Sequence, residues 1–344
     1  MFHNIGGTKF VDVSAEAGLA PGTENSSKGL GVLVVDVNQD GKPDIYVAND
    51  TVANFLYLNQ STPGKIRLAE QGLTAGVALD GSGSPNGSMG VDAADPEGTG
   101  KPVIWVTNYE NELHALYRNI STKDRVQFLF ATPSSGIAAI GQKFVGWGTG
   151  FADFDLDGWE DLFIADGHAI RFPTGATRRQ RPVLMQNKGA GKFADISKSR
   201  GGSYFEGQYL SRGVMLADLN NDGKVDIVVV NVNEPSVILQ NVAPAGNHWL
   251  GVDLVGKGDS DVVGARITLD VNGRTQTRFA KGGGSYASSP DRRHVFGLGP
   301  VEKVAKLTVI WPDGTRNEWQ DVPIDRYHVV VQGDPQLRDK RPVK

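Results

Sequence analysis

The sequence predicts an all-β protein, a partial or small β-propeller of about four blades followed by a small β-sandwich. Three observations carry that expectation. An acidic loop recurs at near-constant spacing, each copy runs into a short β-branched or aromatic segment, and glycine is in excess at 44 of 344 residues. Average usage is about 7% glycine. The excess, together with 17 prolines and no three-residue period, points to many tight turns, not to a collagen-like chain. A hydrophobic fraction of 39% is ample for a core at this length.

The loop segments align without gaps. They are residues 36–44 (DVNQDGKPD), 95–103 (DPEGTGKPV), 153–161 (DFDLDGWED) and 218–226 (DLNNDGKVD), with starts 59, 58 and 65 residues apart. The strands that follow are Ile45 to Val47, Ile104 to Val106, Leu162 to Ile164 and Ile227 to Val230. Each unit closes on an apolar run ending in asparagine, at Asn59, Asn119, Asn187 and Asn241. Lead-in strands around Gly7 to Phe10, Gly64 to Ile66 and Gly191 to Phe193 complete a unit of about four strands. Short β-branched runs bounded by Gly, Asn and Asp fit a propeller blade and not a helical solenoid. Phe2 to Asn4, followed by Gly6 and Gly7, resembles the closing strand of a preceding unit. The chain therefore reads as a piece of a larger propeller truncated at its N-terminus, in preference to a self-closed four-blade ring.

The loop spacing D-x-[DN]-x-D-G-x-x-D places oxygen side chains at positions 1, 3, 5 and 9, with glycine at 6 for the sharp turn. A hard cation such as Ca²⁺ takes 6–8 oxygens at about 2.3–2.6 Å. An EF-hand is excluded, because its glutamate position 12 falls on Val47, Ile164 and Val229, inside strands. Asp, Asn and Gly also make ordinary turns, but so many carboxylates in nine residues repel one another unless a cation neutralises them. Calcium is thus expected at about three sites, on Asp36, Asn38, Asp40 and Asp44, on Asp153, Asp155, Asp157 and Asp161, and on Asp218, Asn220, Asp222 and Asp226. The loop at Asp95 keeps Glu97 but has Thr99 and Val103 at the other two positions, and is expected to be weak or empty.

These loops resemble the FG-GAP/VCBS repeats of integrin-α-type propellers. The resemblance implies that Ca²⁺ rigidifies the blade and does no chemistry, and that the backbone carbonyls of Lys42, Trp159 and Lys224 complete the shells. After a linker at residues 242–246, six or seven short strands over residues 247–333 predict the sandwich, and residues 334–344 read as a tail. Asn272-Gly273 is a strong hairpin signal. The order of Asn247 to Leu250, Gly264 to Arg266, Gly282 to Tyr286, Phe296 to Gly299 and Trp311 to Gly314 resembles an ASPIC/UnbV domain. Ser260-Asp261 stands where that pattern has Ser-Asn. Repeats over residues 1–241 plus this domain are similar to the cartilage acidic protein-like family, which implies a secreted or periplasmic protein, although the chain itself shows no signal peptide.

Composition narrows the function. The net charge of −4 gives no basic footprint for nucleic acid, and no apolar run approaches the ~20 residues that span a bilayer. Cysteine is absent, which excludes disulfides and thiolate chemistry. No phosphate-binding, nucleophile-elbow or zinc-protease motif is present. The sequence reads as a non-catalytic, calcium-stabilised binding or adhesion scaffold with an unknown protein or glycan ligand. The alternative is a carbohydrate-active or other hydrolase at the loop face near His168. An insert in the third unit, with Arg171, Phe172 to Gly175 and Arg178 to Arg181, is the first place to look for ligand contacts.

Overall fold

The computed structural model describes residues 1–19, 27–258 and 260–339. Four antiparallel sheets follow one another as blades. Blade one comprises Gly29–Val35, Asp44–Asn49, Phe55–Asn59 and Leu68–Glu70. Blade two comprises Val91–Ala94, Val103–Val106, Ala115–Asn119 and Phe128–Phe130. Blade three is Gly146–Ala152, Asp161–Asp166, Val183–Asn187 and Phe193–Asp195. Blade four has three strands, Ser211–Ala217, Asp226–Asn231 and Val237–Leu239. Both faces of a middle blade are covered by neighbours, so Val103–Val106 and Asp161–Asp166 are buried throughout. Tyr46, Ile104 and Tyr117 share the core between blades one and two, Trp105 and Leu162 the next, and Phe163 and Val229 the last.

The outermost strand of each sheet corrects the phase read from the sequence. These strands belong to the sheet that precedes them, paired with the closing asparagine. The one expected at Gly64 to Ile66 lies at Leu68–Glu70, with Asn59 opposite Leu68. Asn187 is opposite Phe193, and Phe128, outside the expected lead-in strands, is opposite Asn119. The first pair of strands, Phe2–Ile5 and Lys9–Asp12, repeats this register with Asn4 opposite Phe10. It also repeats the next contact. Gly18, Gly76 and Gly136, all with positive φ, lie against the carbonyls of Leu68, Phe128 and Phe193, so a Cβ there would stand 2.4–2.8 Å from oxygen. The N-terminal hairpin is therefore the outer half of a blade, packed on blade one as blade one packs on blade two.

The C-terminal region forms two four-stranded sheets. His294–Gly299, His248–Val255, Tyr327–Val331 and Arg338–Asp339 make one; Arg274–Phe279, Arg266–Val271, Val304–Ile310 and Arg316–Val322 make the other. Leu250, Ile267, Phe296, Leu307, Val309 and Trp311 fill the space between them. The last strand falls within the residues expected to be a tail, where Arg338 pairs opposite Val329.

One segment of this region leaves the sandwich and crosses the inner strands of all four blades. Gly282 and Gly283 pair with Val34 and Leu33 as a fifth strand of blade one. Ser285 exchanges backbone hydrogen bonds with Val91 of blade two, and Tyr286 meets Trp147 of blade three at 4.7 Å between ring centroids. Asp291 N–H donates to Leu216 O of blade four at 3.0 Å. Bare backbone makes the approach feasible, since a Cβ on Gly283 would stand 2.3 Å from Val32 O.

Candidate metal centre

Each acidic loop is first a hydrogen-bonded turn. The position-1 carboxylate accepts the N–H groups of positions 5 and 6: Asp36 from Asp40 and Gly41, Asp153 from Asp157 and Gly158, Asp218 from Asp222 and Gly223. Position 5 accepts from position 7, as Asp40 from Lys42, Asp157 from Trp159 and Asp222 from Lys224 at 2.8–2.9 Å. Position 9 ties the loop to the closing strand. Asp44, Asp161 and Asp226 each accept one N–H from loop position 2 and one from Asn59, Asn187 or Asn241. The asparagine side chains staple blade to blade, with Asn119 Nδ2 donating to Val37 O, Asn187 Nδ2 to Pro96 O and Asn241 Nδ2 to Phe154 O at 2.8–2.9 Å. A carboxylate oxygen has lone pairs to spare after one such bond, so these roles leave room for a cation.

The loops differ in what remains. In blade three, Asp153, Asp155 and Asp161 bring one oxygen each within 4.8 Å of one another, the one such triad of acidic, histidine or cysteine groups among the described residues. Gln186 Nε2 donates to Asp155 Oδ2 at 2.6 Å, while Asp155 Oδ1 is buried with no hydrogen-bond partner. That orphaned oxygen, beside two buried carboxylates, is what a hard cation would satisfy. Burial pushes the Asp153 carboxyl up to about 8, against a lowering influence from Arg278, with Asp157 and Asp155 adding to the rise. Burial raises Asp161 as well. In blades one and four the third position is asparagine, and its amide donates to the fifth: Asn38 Nδ2 to Asp40 at 3.2 Å, Asn220 Nδ2 to Asp222 at 3.0 Å. There the amide offsets part of the repulsion that the four-carboxylate loop keeps; burial still pushes Asp44 up to about 7.

The loop at Asp95 retains the turn but not the charge. Asp95 accepts from Thr99 and Gly100 N–H. Glu97 is drawn out of the loop to Arg118 at 2.5 Å, and Lys101 Nζ donates to Ser121 O at 2.6 Å. Glu160, next to the blade-three loop, accepts Asp95 N–H at 3.0 Å and pairs with Arg278 at 3.2 Å.

His168, the residue of the catalytic alternative, is 1% exposed. Its Nδ1 accepts Ile170 N–H at 3.0 Å, which leaves the ring proton on Nε2, 3.2 Å from Glu110 Oε1. Tyr109 packs edge-on at 5.3 Å. These contacts anchor the root of the insert. Its tip is exposed, with Phe172 at 79% and Arg171 over its ring at 5.3 Å. Sequence reasoning missed Gln186, Glu160, and the groups that reach the loops from the C-terminal domain. Gln186 adjoins the recurring asparagine and could have been flagged by that position; the others come from far along the chain.

A bladed repeat with acidic turns, capped by a β-sandwich, defines the class, and comparison with known families agrees. Residues 153–229 match the FG-GAP-like repeat and residues 256–337 match the family ASPIC and UnbV. The chain thus carries a segment similar to the FG-GAP-like repeat and, C-terminal to it, a segment similar to ASPIC and UnbV. Among curated proteins it is similar to cartilage acidic protein 1 of Mus musculus, 26% identical over 313 residues, 88% of this chain and 44% of that protein. The Homo sapiens protein of that name is 26% identical over 308 residues, 88% and 43% respectively. The Xenopus tropicalis protein is 30% identical over 229 residues, 62% and 32%. The chain spans less than half the length of these relatives. A solved Agrocybe aegerita lectin, described as recognising non-reducing terminal N-acetylglucosamine, aligns over 93% of this chain and 74% of its own at 16% identity and a TM-score of 0.37. Among the described residues no helix is long and apolar enough to cross a membrane.

Proposed function

We propose that this chain is a non-catalytic, calcium-stabilised binding or adhesion scaffold that works outside the cytoplasm, secreted or periplasmic, with a protein or glycan ligand. The observation that carries the calcium reading is the blade-three loop, where three converging carboxylates leave a buried oxygen unpartnered. Asp153, Asp155, Asp157 and Asp161 would hold the first ion. Asp36, Asn38, Asp40 and Asp44, and Asp218, Asn220, Asp222 and Asp226, would hold two more, with the carbonyls of Lys42, Trp159 and Lys224 as further donors. The ion supplies positive charge to a rigid turn. The similarity to cartilage acidic protein 1 supports the location, and the burial of His168 supports the non-catalytic reading. The exposed tip at Arg171 and Phe172 is the surface proposed to meet the ligand.

Calorimetric titration and thermal melting test the metal. Calcium at 100 times its Kd stabilises the native state by about 2.7 kcal/mol per site. At roughly 2–4 °C per kcal/mol, the melting temperature in calcium should exceed that in EGTA by about 5 °C or more. No heat on titration and coincident melting curves would overturn the reading.

A further inference from the structure

Every loop glycine at position 6 lies under a residue of the C-terminal domain. A Cβ on Gly41 would stand 3.0 Å from Pro312 O, and one on Gly100 3.9 Å from Thr277 Oγ1. On Gly158 it would stand 2.4 Å from Arg274 Nη2, and on Gly223 2.0 Å from the ring of Trp249. The domain is thus seated on the row of acidic turns. At two of them it reaches the first-position aspartate itself, whereas in blade one Arg266 Nη1 donates to Gln39 Oε1. Gly297 N–H donates to Asp153 Oδ2 at 3.1 Å, and Gly299 N–H donates to Leu156 O in the same loop at 2.8 Å. Tyr327 O–H donates to Asp218 Oδ2 at 2.7 Å, and Arg293 Nη2 donates to Asp218 O at 2.6 Å. Leu156, Trp249 and Tyr327 close an apolar cluster over both loops. All three first-position carboxylates accept from positions 5 and 6 of their own loops; Asp153 and Asp218 accept in addition from Gly297 and Tyr327.

We infer that cation occupancy of the loops at Asp153 and Asp218 and docking of the C-terminal domain are one linked equilibrium, with Gly297 and Tyr327 as positioning residues for the two first-position carboxylates. The inference rests on the calcium reading above. The docked domain both aims these carboxylates and shuts out the water that would otherwise screen them. In the docked arrangement Asp153 is 2% exposed. Asp157 and Asp155 repel it, while Arg278 of the docked domain offsets part of that repulsion. The remainder is relieved either by a cation or by readmitting water, which means loosening the lid. Docked with a cation, the same burial strengthens the attraction. Linkage is reciprocal, so whatever factor docking adds to calcium affinity, calcium adds to docking.

The experiment combines calcium titration with hydrogen exchange on the full chain. Calorimetry first counts bound calcium; if none binds, the calcium reading falls and the linkage with it. If calcium binds, EGTA should speed exchange of the peptide containing residues 294–299 at least tenfold, while the sandwich-core peptide 304–310 keeps its protection. Equal exchange in calcium and EGTA at 294–299 overturns the linkage and leaves the calcium reading standing. Two variants sharpen the result. Tyr327→Phe, which removes one hydroxyl, should weaken one calcium site about tenfold, the scale of a hydrogen bond to a charged group, and unchanged affinity counts against the inference. Asp40→Asn, in the blade-one loop, should lower calcium binding at its own site without altering exchange at 294–299; faster exchange there would show that the coupling is not specific to the two capped loops.

Discussion

The loops at Asp153 and Asp95 occupy the same place in neighbouring blades and share the same turn, yet their charges are balanced in opposite ways. Both first-position carboxylates accept N–H groups from positions 5 and 6. Around Asp153 three further carboxylates are kept, and one buried oxygen has no partner. Around Asp95, Thr99 and Val103 remove two carboxylates, and Arg118 takes the third group, Glu97, for itself. The backbone of the turn therefore closes the same way in both loops; only the blade-three loop keeps the carboxylates that the proposed cation would neutralise. The acidic turn thus keeps its shape with two of its carboxylates replaced and a third paired to a protein cation.

The largest effect should come from Asp153→Asn combined with Asp157→Asn. It should abolish the tightest calcium site and most of the calcium-dependent rise in melting temperature, whereas Asp95→Asn should leave calcium stoichiometry unchanged. The opposite ranking, measured by calorimetry, would break the comparison. Next are the glycines. Gly158→Ala forces a Cβ against Arg274 and Gln276 at φ +92°, and Gly100→Ala meets only Thr277 Oγ1 at 3.9 Å with φ +76°. Both lose about 1 kcal/mol for the left-handed backbone, and Gly158→Ala should lose a further 1–3 kcal/mol, roughly, for overpacking; equal denaturant midpoints would refute the difference.

The pH dependence separates the two loops further. Burial pushes Asp153 up to about 8 and Asp95 up to about 6. A carboxyl raised on folding binds more protons native than unfolded, so its favourable contribution is complete at low pH and is lost as pH rises through the folded value. In EGTA the melting temperature should therefore fall between pH 5 and 8.5, and Asp95→Asn should remove only the part below about pH 6 to 7. Calcium should flatten the upper part, and a profile in EGTA that rises with pH would contradict the assignment. The smallest effect is expected from Arg118→Ala. Its partly exposed pair with Glu97 is worth at most about 1 kcal/mol, and the variant should not gain tight calcium binding, because Thr99 and Val103 still leave the shell incomplete.

The blades were legible because their signals are local. The nine-residue loops, the strand after each and the closing asparagines all lie within one unit, and together they located the four sheets. The triad of blade three could be ranked above the others by counting carboxylates alone. What could not be read is what sequence distance hides. The runs from Gly7 to Phe10 and from Gly191 to Phe193 look like openings of their own units, yet Lys9–Asp12 and Phe193–Asp195 complete the sheet before, each paired opposite a closing asparagine. Tyr327 and Gly297 lie 109 and 144 residues from the carboxylates they contact. Gly282 to Tyr286 carried a family pattern, and nothing in its composition marked it as the strand that crosses the blades.

That crossing strand has a consequence for how the molecule is made. Among the described residues, the inner edge of blade one at Leu33 and Val34 pairs with Gly282 and Gly283, residues synthesised long after it. Until they arrive, the emerging chain presents an open sheet edge of the kind that invites pairing with other chains. High sequence separation also slows folding. The nascent blades thus have to remain unassociated until the C-terminal domain is translated, and a ribosome stalled before residue 282 would release a product with its central seam unsealed.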